Sequence, residues 1–240
     1  MSQKNNIKVC LTPSLFPIYS DRKSIVVVVD VLRATSAICT ALELGVSSIT
    51  PVSTVEEALE YKGNKDYLLA AERNGKIVSG FDMGNSPTEY LKTDFNRKKL
   101  VLTTTNGTKA INIAKLDHEV VIGSFLNIEV LASFLNSRRN DIIILCAGWR
   151  NDFCLEDTIF AGALAKKLIT TNNFYSNYDS TETSIILYDK AKSDMFKFLE
   201  HSQHRNRLAH LNIESDVEYC LNQDITNIIP ILKNDEIVPL

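Results

Sequence analysis

Apolar runs of strand length recur along the chain at 7–11, 25–29, 46–50, 67–71, 100–104, 119–122, 141–146 and 227–232. Most are separated by segments with apolar residues at three- and four-residue spacing, which predicts helices over 35–44, 55–62, 109–116, 127–139 and 157–169. The first two helices run into Gly45 and Gly63, a common stop signal. The strand runs are continuous rather than alternating, the pattern of strands buried on both faces. Together these features predict an α/β fold: three layers, with a mixed, mostly parallel sheet and helices on both faces.

Three capping boxes are expected at Ser53 with Glu56, Ser86 with Glu89 and Ser215 with Glu218, the second with Pro87 at the first helical position. The polar stretch 171–183 reads as an exposed loop, followed by a helix over 184–200. The run 228–232 turns at Lys233-Asn234-Asp235-Glu236 into Ile237-Val238, which predicts an edge hairpin. The 240 residues suit a single domain or two α/β lobes with a seam near 139–141.

Charge and cysteine content narrow the function classes. A net charge of −3 gives no broad basic surface for nucleic acid or acidic lipid, so an anion site must be local. Met1 to Asn6 is polar without an apolar signal region, and no run approaches bilayer-spanning length. Cys10, Cys39, Cys146, Cys154 and Cys220 are odd in number and lack close metal-type pairs, so they are expected to be reduced. A cytoplasmic protein is the resulting expectation, with no membrane or nucleic-acid partner. Cys146 reads as a buried thiol, and His118, His201, His204 and His210 as solvated or packing residues.

Two strand ends carry the candidate chemistry. Asp30 follows five apolar residues and is placed to emerge at the end of a central strand, as a ligand, a nucleophile or a helix cap. Arg33 can grip an anion beside it or form a salt bridge with it. At the second corner, Thr103 to Thr108 leads into a helix and offers hydroxyls, an amide and the glycine backbone of Gly107, a phosphate-binding pattern without a Walker signature. Glu72-Arg73-Asn74-Gly75 follows the strand 67–71, Cys146-Ala147-Gly148 ends another, and Glu156-Asp157 opens the next helix, where first-turn acids complement the dipole.

Taken in order, Asp30-Val31-Leu32-Arg33-Ala34-Thr35-Ser36, Glu72-Arg73-Asn74-Gly75, Gly80-Phe81-Asp82-Met83-Gly84-Asn85-Ser86-Pro87, Thr103 to Thr108, Gly123 to Asn127, Cys146-Ala147-Gly148 and Leu155-Glu156-Asp157 resemble the 2-phosphosulfolactate phosphatase family. The similarity runs from about Val9 to Pro239. The resemblance implies a magnesium-dependent, often dimeric α/β phosphatase that hydrolyses phosphate esters of 2-hydroxycarboxylic acids. Its name reaction yields 3-sulfolactate on the route to coenzyme M. Transferred onto this chain, it implies Asp30, Arg33, Glu72 and Arg73 as catalytic residues. Thr35, Ser36, Asn85, Ser86, Thr105, Asn106, Gly107, Thr108 and Gly148 become substrate-binding residues, and Asp30, Glu72, Asp82, Glu156 and Asp157 ligands of Mg²⁺. The chain departs from the family pattern at Cys154, where a serine is typical, at Arg205, where Ser-x-His is followed by glycine, and at the bulky segment Trp149 to Phe153. Two rival readings are a haloacid-dehalogenase-like phosphotransferase using Asp30, which would expect an aspartate where Leu32 stands, and a non-catalytic binder of an anionic metabolite.

Overall fold

A computed structural model describes residues 4–208, 211 and 213–240. The elements in chain order are β1 (Asn5–Cys10), α1 (Phe16–Tyr19), β2 (Ile25–Val29), α2 (Ala34–Glu43), β3 (Ile49–Pro51), α3 (Val55–Leu59), β4 (Tyr67–Arg73), β5 (Lys76–Ile77), α4 (Pro87–Tyr90), β6 (Lys99–Thr103), α5 (Gly107–Ala114), β7 (Val120–Gly123), α6 (Ile128–Arg138), β8 (Ile142–Cys146), α7 (Leu155–Thr170), β9 (Phe174–Tyr175), α8 (Asp179–Ala191), α9 (Met195–Phe198), α10 (Gln203–Leu208), α11 (Glu214–Leu221), β10 (Pro230–Lys233) and β11 (Glu236–Pro239). The strands form one sheet in the order β5-β4-β6-β3-β11-β10-β7-β2-β8-β1-β9.

The valine run explains the layers. Alternate strand residues point to opposite faces, and in β2 the residues Val27 and Val29 join one core cluster with α6 and α7. Val26 and Val28 join the other, against α2 and α5. All five β2 residues are buried, which is why the run shows no polar alternation. The expected α/β fold with a mixed, mostly parallel sheet is therefore what the chain forms, with helices on both faces of this central region.

The sheet has two parallel halves, β4-β6-β3 and β7-β2-β8-β1, joined by the β10–β11 hairpin. The hairpin was expected at an edge; it lies inside the sheet, antiparallel to both neighbours. Each junction is held by a single register pair, Ile231 opposite Val121 and Ile237 opposite Ile49. A local pattern shows that a hairpin forms, but not which strands will flank it.

The polar stretch 171–183 also differs from expectation. It supplies the edge strand β9 and the start of α8, and Thr181 is fully buried. Its hydroxyls complete the exposed side of β1: Ser176 and Ser180 donate to the carbonyls of Ile7 and Val9, and the Val9 N–H donates to Thr181. Gly162 allows α8 to approach α7 closely, since a Cβ there would stand 1.9 Å from the Ser184 carbonyl oxygen. The helix expected over 184–200 is instead α8 and α9.

Of the capping boxes, Ser86 caps α4 through the Glu89 N–H, with Pro87 following. At α3 the cap is Thr54, which accepts the Glu57 N–H while Glu57 accepts the Ser53 N–H, and Ser215 lies inside α11, whose first residue is Glu214. All five cysteines are free and buried. Among the described residues no helix is long and apolar enough to cross a membrane. His210 lies outside the described residues, and His118 bridges Ser20 and the Ser24 carbonyl as a packing residue.

Candidate active site

Burial of β2 on both faces leaves its first polar residue, Asp30, at the carboxyl edge of the sheet. One Asp30 oxygen accepts the Ala34 N–H at 3.3 Å, so the residue helps cap α2 and also lines a small polar cleft. Burial, reinforced by the charges of Glu72 and Glu156, pushes its carboxyl up to about 6 against the pull of His204. Thr35 and Ser36 are buried and donate to the carbonyls of Asp30 and Val31, fixing the corner from behind.

Asp30 and Glu72 line the same cleft although six strand spacings separate β2 from β4 in sheet order. A flat sheet would hold them about 29 Å apart at ~4.8 Å per strand, so the two halves must coil toward each other. The start of α5 closes the distance. A Cβ on Gly107 would lie 2.5 Å from the Ala34 Cβ and 2.8 Å from Asp30 Oδ2, so only glycine fits where α5 meets the β2 corner.

On the other side of that joint, Glu72 accepts the Gly75 N–H with one oxygen and the Thr105 N–H and hydroxyl, both at 3.3 Å, with the other. Asn74 and Gly75 take positive φ, which turns the chain tightly enough for this contact. Thr104 and Thr108 cap one another, each N–H donating to the other's hydroxyl at 3.1 Å. Asn106 accepts the Arg150 N–H at 3.0 Å and reaches the cleft wall. Most threonine hydroxyls expected to greet a phosphate are therefore engaged in the fold itself. Arg73 lies outside the cleft lining, held by the Glu72 carbonyl and the Thr103 hydroxyl.

Arg33 lines the cleft but does not pair with Asp30. Its Nη1 meets Asp216 of α11 at 2.5 Å and its Nη2 donates to the Gly75 carbonyl at 3.1 Å. Asp216 also accepts from the hydroxyls of Ser86 and Thr88 and from the Thr88 N–H. This carboxylate organises Arg33 and Ser86 together, and the sequence reading did not single it out. Asn85 is buried on the cleft wall, and its side-chain oxygen has no hydrogen-bond partner among the described residues. The cleft continues past Arg33, Gly75 and Asn85 into a hollow of about 300 Å³ reaching Thr88 and Lys92.

The adjacent acids of α7 have different surroundings. Asp157 accepts the N–H groups of Val31 at 2.9 Å and Gly148 at 3.1 Å, so it joins the ends of β2 and β8. Burial, with Glu156 and Asp30 nearby, pushes its carboxyl well up. Glu156 binds His204 with one oxygen, while the other is buried without a partner among the described residues. Burial alone would raise the Glu156 carboxyl, but the charge and hydrogen bond of His204 hold it below the usual carboxylate range. Gly148 sits at φ +59, where a Cβ would meet the Asp152 carbonyl at 2.2 Å, and so permits the turn carrying Trp149. Cys146 is buried and its thiol is pushed well up, first by burial and then by Asp157, which suits packing rather than nucleophilic attack.

Asp82 differs from the other acids. It is exposed and accepts the Leu69 N–H at 2.8 Å, so it braces β4 away from the cleft. Conversely, His204 was expected to be solvated or packing, yet it lines the cleft beside Asp30. Trp149 lines it too, and the Arg207 guanidinium stacks 3.7 Å from the Trp149 ring centre. The Nε and Nη2 of Arg207 are buried without partners among the described residues. The bulky segment after Cys-Ala-Gly and the Ser-x-His position were the only sequence signals for this wall. For a hard cation, which prefers oxygen, the suitable donors are Asp30, Glu72 and the partnerless oxygens of Asn85 and Glu156. Two unsatisfied buried oxygens beside mutually repelling carboxylates fit such an ion.

The 2-phosphosulpholactate phosphatase family model matches residues 10–235. A protein of Caldanaerobacter subterraneus subsp. tengcongensis is 39% identical over 87% of this chain and 88% of its own length. One of Thermotoga maritima is 41% identical over 87% and 88%, and one of Clostridium acetobutylicum 38% identical over 88% and 91%. Each bears the name "Probable 2-phosphosulfolactate phosphatase". With its polar cleft at the strand ends and this match along nearly its whole length, the chain belongs to the 2-phosphosulpholactate phosphatase family of phosphoric monoester hydrolases.

Proposed function

We propose that the cleft hydrolyses the phosphate ester of a 2-hydroxycarboxylic acid, with 2-phosphosulfolactate as substrate and 3-sulfolactate and phosphate as products, in a Mg²⁺-dependent reaction. The observation that carries this reading is the convergence of Asp30, Glu72, Asn85 and His204 on one small polar cleft, although they come from distant parts of the chain. Asp30, Glu72 and Glu156 are the residues that would hold Mg²⁺, which when bound would offset phosphate charge and act as a Lewis acid.

The protein groups supply the rest. Arg33 is pre-oriented by Asp216 and Gly75, so its charge meets the substrate without a large ordering cost. His204, fixed by Glu156 and standing on the cleft wall, is placed to give a proton to the leaving oxygen. Arg207, with two buried donors that have no partner among the described residues, stacks on Trp149 and is placed to receive the substrate's second anionic group. A phosphorylated Asp30 finds no second aspartate at Leu32, and a simple binder needs no facing carboxylates; hydrolysis accounts for both features. A homodimer in the cytoplasm belongs to the same proposal.

The test is phosphate release from 2-phosphosulfolactate and from 2-phospholactate, each with Mg²⁺ and with excess EDTA. Release that needs the metal and favours the sulfonated substrate is expected. Failure of folded protein to release phosphate from either would overturn the reading.

A further inference from the structure

Beside the hydrolytic cleft, Cys154 Sγ, a Glu156 carboxylate oxygen and a ring nitrogen of His204 all lie within 4.8 Å of one another. Two elements supply them: Cys154 precedes the first turn of α7, Glu156 lies in that turn, and His204 belongs to α10. Cys154 and Glu156 are buried, and the His204 side chain is only 10% exposed. The contact between Glu156 and His204 uses one carboxylate oxygen, while the other is buried with no partner among the described residues. The three groups border a cavity of about 230 Å³ that opens past the exposed His201.

This donor set differs in kind from that of the cleft. Mg²⁺ takes oxygen ligands, whereas thiolate, imidazole and carboxylate together are the set that holds Zn²⁺ in tetrahedral sites. Three protein ligands leave the fourth position for a water or an anion from the cavity. We propose that Cys154, Glu156 and His204 form a binding site for a zinc-class divalent cation, which shares Glu156 with the magnesium position and differs from it by its thiolate and imidazole ligands. On binding, the Cys154 S–H bond is replaced by a sulfur–metal bond, and its proton, with any proton on the coordinating His204 nitrogen, passes to solvent. Occupancy draws Glu156 and His204 away from substrate. That inhibitory consequence rests on the function proposed above; the binding itself does not.

The test uses full-length, reduced, metal-free protein titrated with Co²⁺ as a spectroscopic stand-in for Zn²⁺. About one Co²⁺ per chain is expected, with tetrahedral visible bands and a thiolate-to-cobalt charge-transfer band that survive excess Mg²⁺ and vanish on adding Zn²⁺. Cys154→Ser is expected to remove the charge-transfer band and to weaken Zn²⁺ binding at least ~10-fold, while Cys220→Ser keeps both. His204→Gln, at a partly exposed position, provides a second variant should Cys154→Ser fail to fold, and must weaken Zn²⁺ binding likewise. Absence of the band in folded wild-type protein, or its persistence in folded Cys154→Ser protein, would overturn the site. No substrate enters these measurements, so their outcome is independent of phosphate release.

Discussion

The β2–α2 corner and the β6–α5 corner look alike in sequence: an apolar strand, a polar turn and a helix start. Their side chains do different work. At the first, Asp30 keeps its carboxylate on the cleft while Thr35 and Ser36 hold the backbone. At the second, Thr103 holds Arg73, Thr104 and Thr108 hold each other, and Thr105 holds Glu72. The second corner is a positioning device that delivers another strand's carboxylate. A hydroxyl finds partners readily in a neighbouring backbone, whereas the buried Asp30 carboxylate accepts only the Ala34 N–H among the described residues and keeps its remaining capacity for a cation or a proton.

That contrast can be broken by substitution. Asp30→Asn removes the charge on which the first corner depends, and phosphate release is expected to fall ~10²–10³-fold while the protein stays folded. Turnover near that of wild type would remove Asp30 from the chemistry. Gly107→Ala attacks the joint between the corners: overpacking against Ala34 and Asp30 is expected to cost ~1–3 kcal/mol in thermal or denaturant unfolding and to slow phosphate release about tenfold by displacing Asp30. An unchanged melting curve would show that α5 does not lock the corners together.

Arg207→Met sharpens the comparison by testing the side of the cleft that Trp149 lines, away from the two corners' own residues. The loss of one charge-assisted contact is expected to raise KM for 2-phosphosulfolactate about tenfold with kcat kept; an equal fall in kcat instead would place Arg207 in the transition state. Thr105→Val removes a positioning hydroxyl, with an expected rate loss below about tenfold. A loss as large as that of Asp30→Asn would erase the distinction between the two corners.

The smallest effect is expected away from the cleft. Burial alone would raise the Asp21 carboxyl, but the Lys8 ammonium at 2.7 Å and the Ser24 groups hold it well below the usual carboxylate range. A depressed carboxyl contributes stability above its unfolded pKa of ~3.9 and loses it as the pH falls toward its lower folded value. Asp21→Asn is therefore expected to cost ~1 kcal/mol at pH 7, to cost progressively less below about pH 4, and to leave phosphate release unchanged. A pH-independent difference would mean that the ion pair is not its source.

The sequence by itself determined the layered α/β fold and the strand ends, because apolar periodicity and turn residues are local and the β2 valine run can only be buried on both faces. The family showed separately, in the resemblance carried by its motifs in order. The sequence also marked Asp30 and Glu72 as acids near strand ends and Glu156 as an acid at a helix start. Tertiary structure decided which side chains remain available. Asp157 and Asp82 became backbone acceptors, Arg33 found Asp216 across the chain, and His204 left its assigned packing role for Glu156 and the cleft. It also placed the hairpin in the middle of the sheet and used the polar stretch 171–183 to complete β1. These outcomes depend on partners up to 183 residues apart, and hydrogen bonds and ion pairs are settled by what burial brings together, a distance that no local pattern encodes.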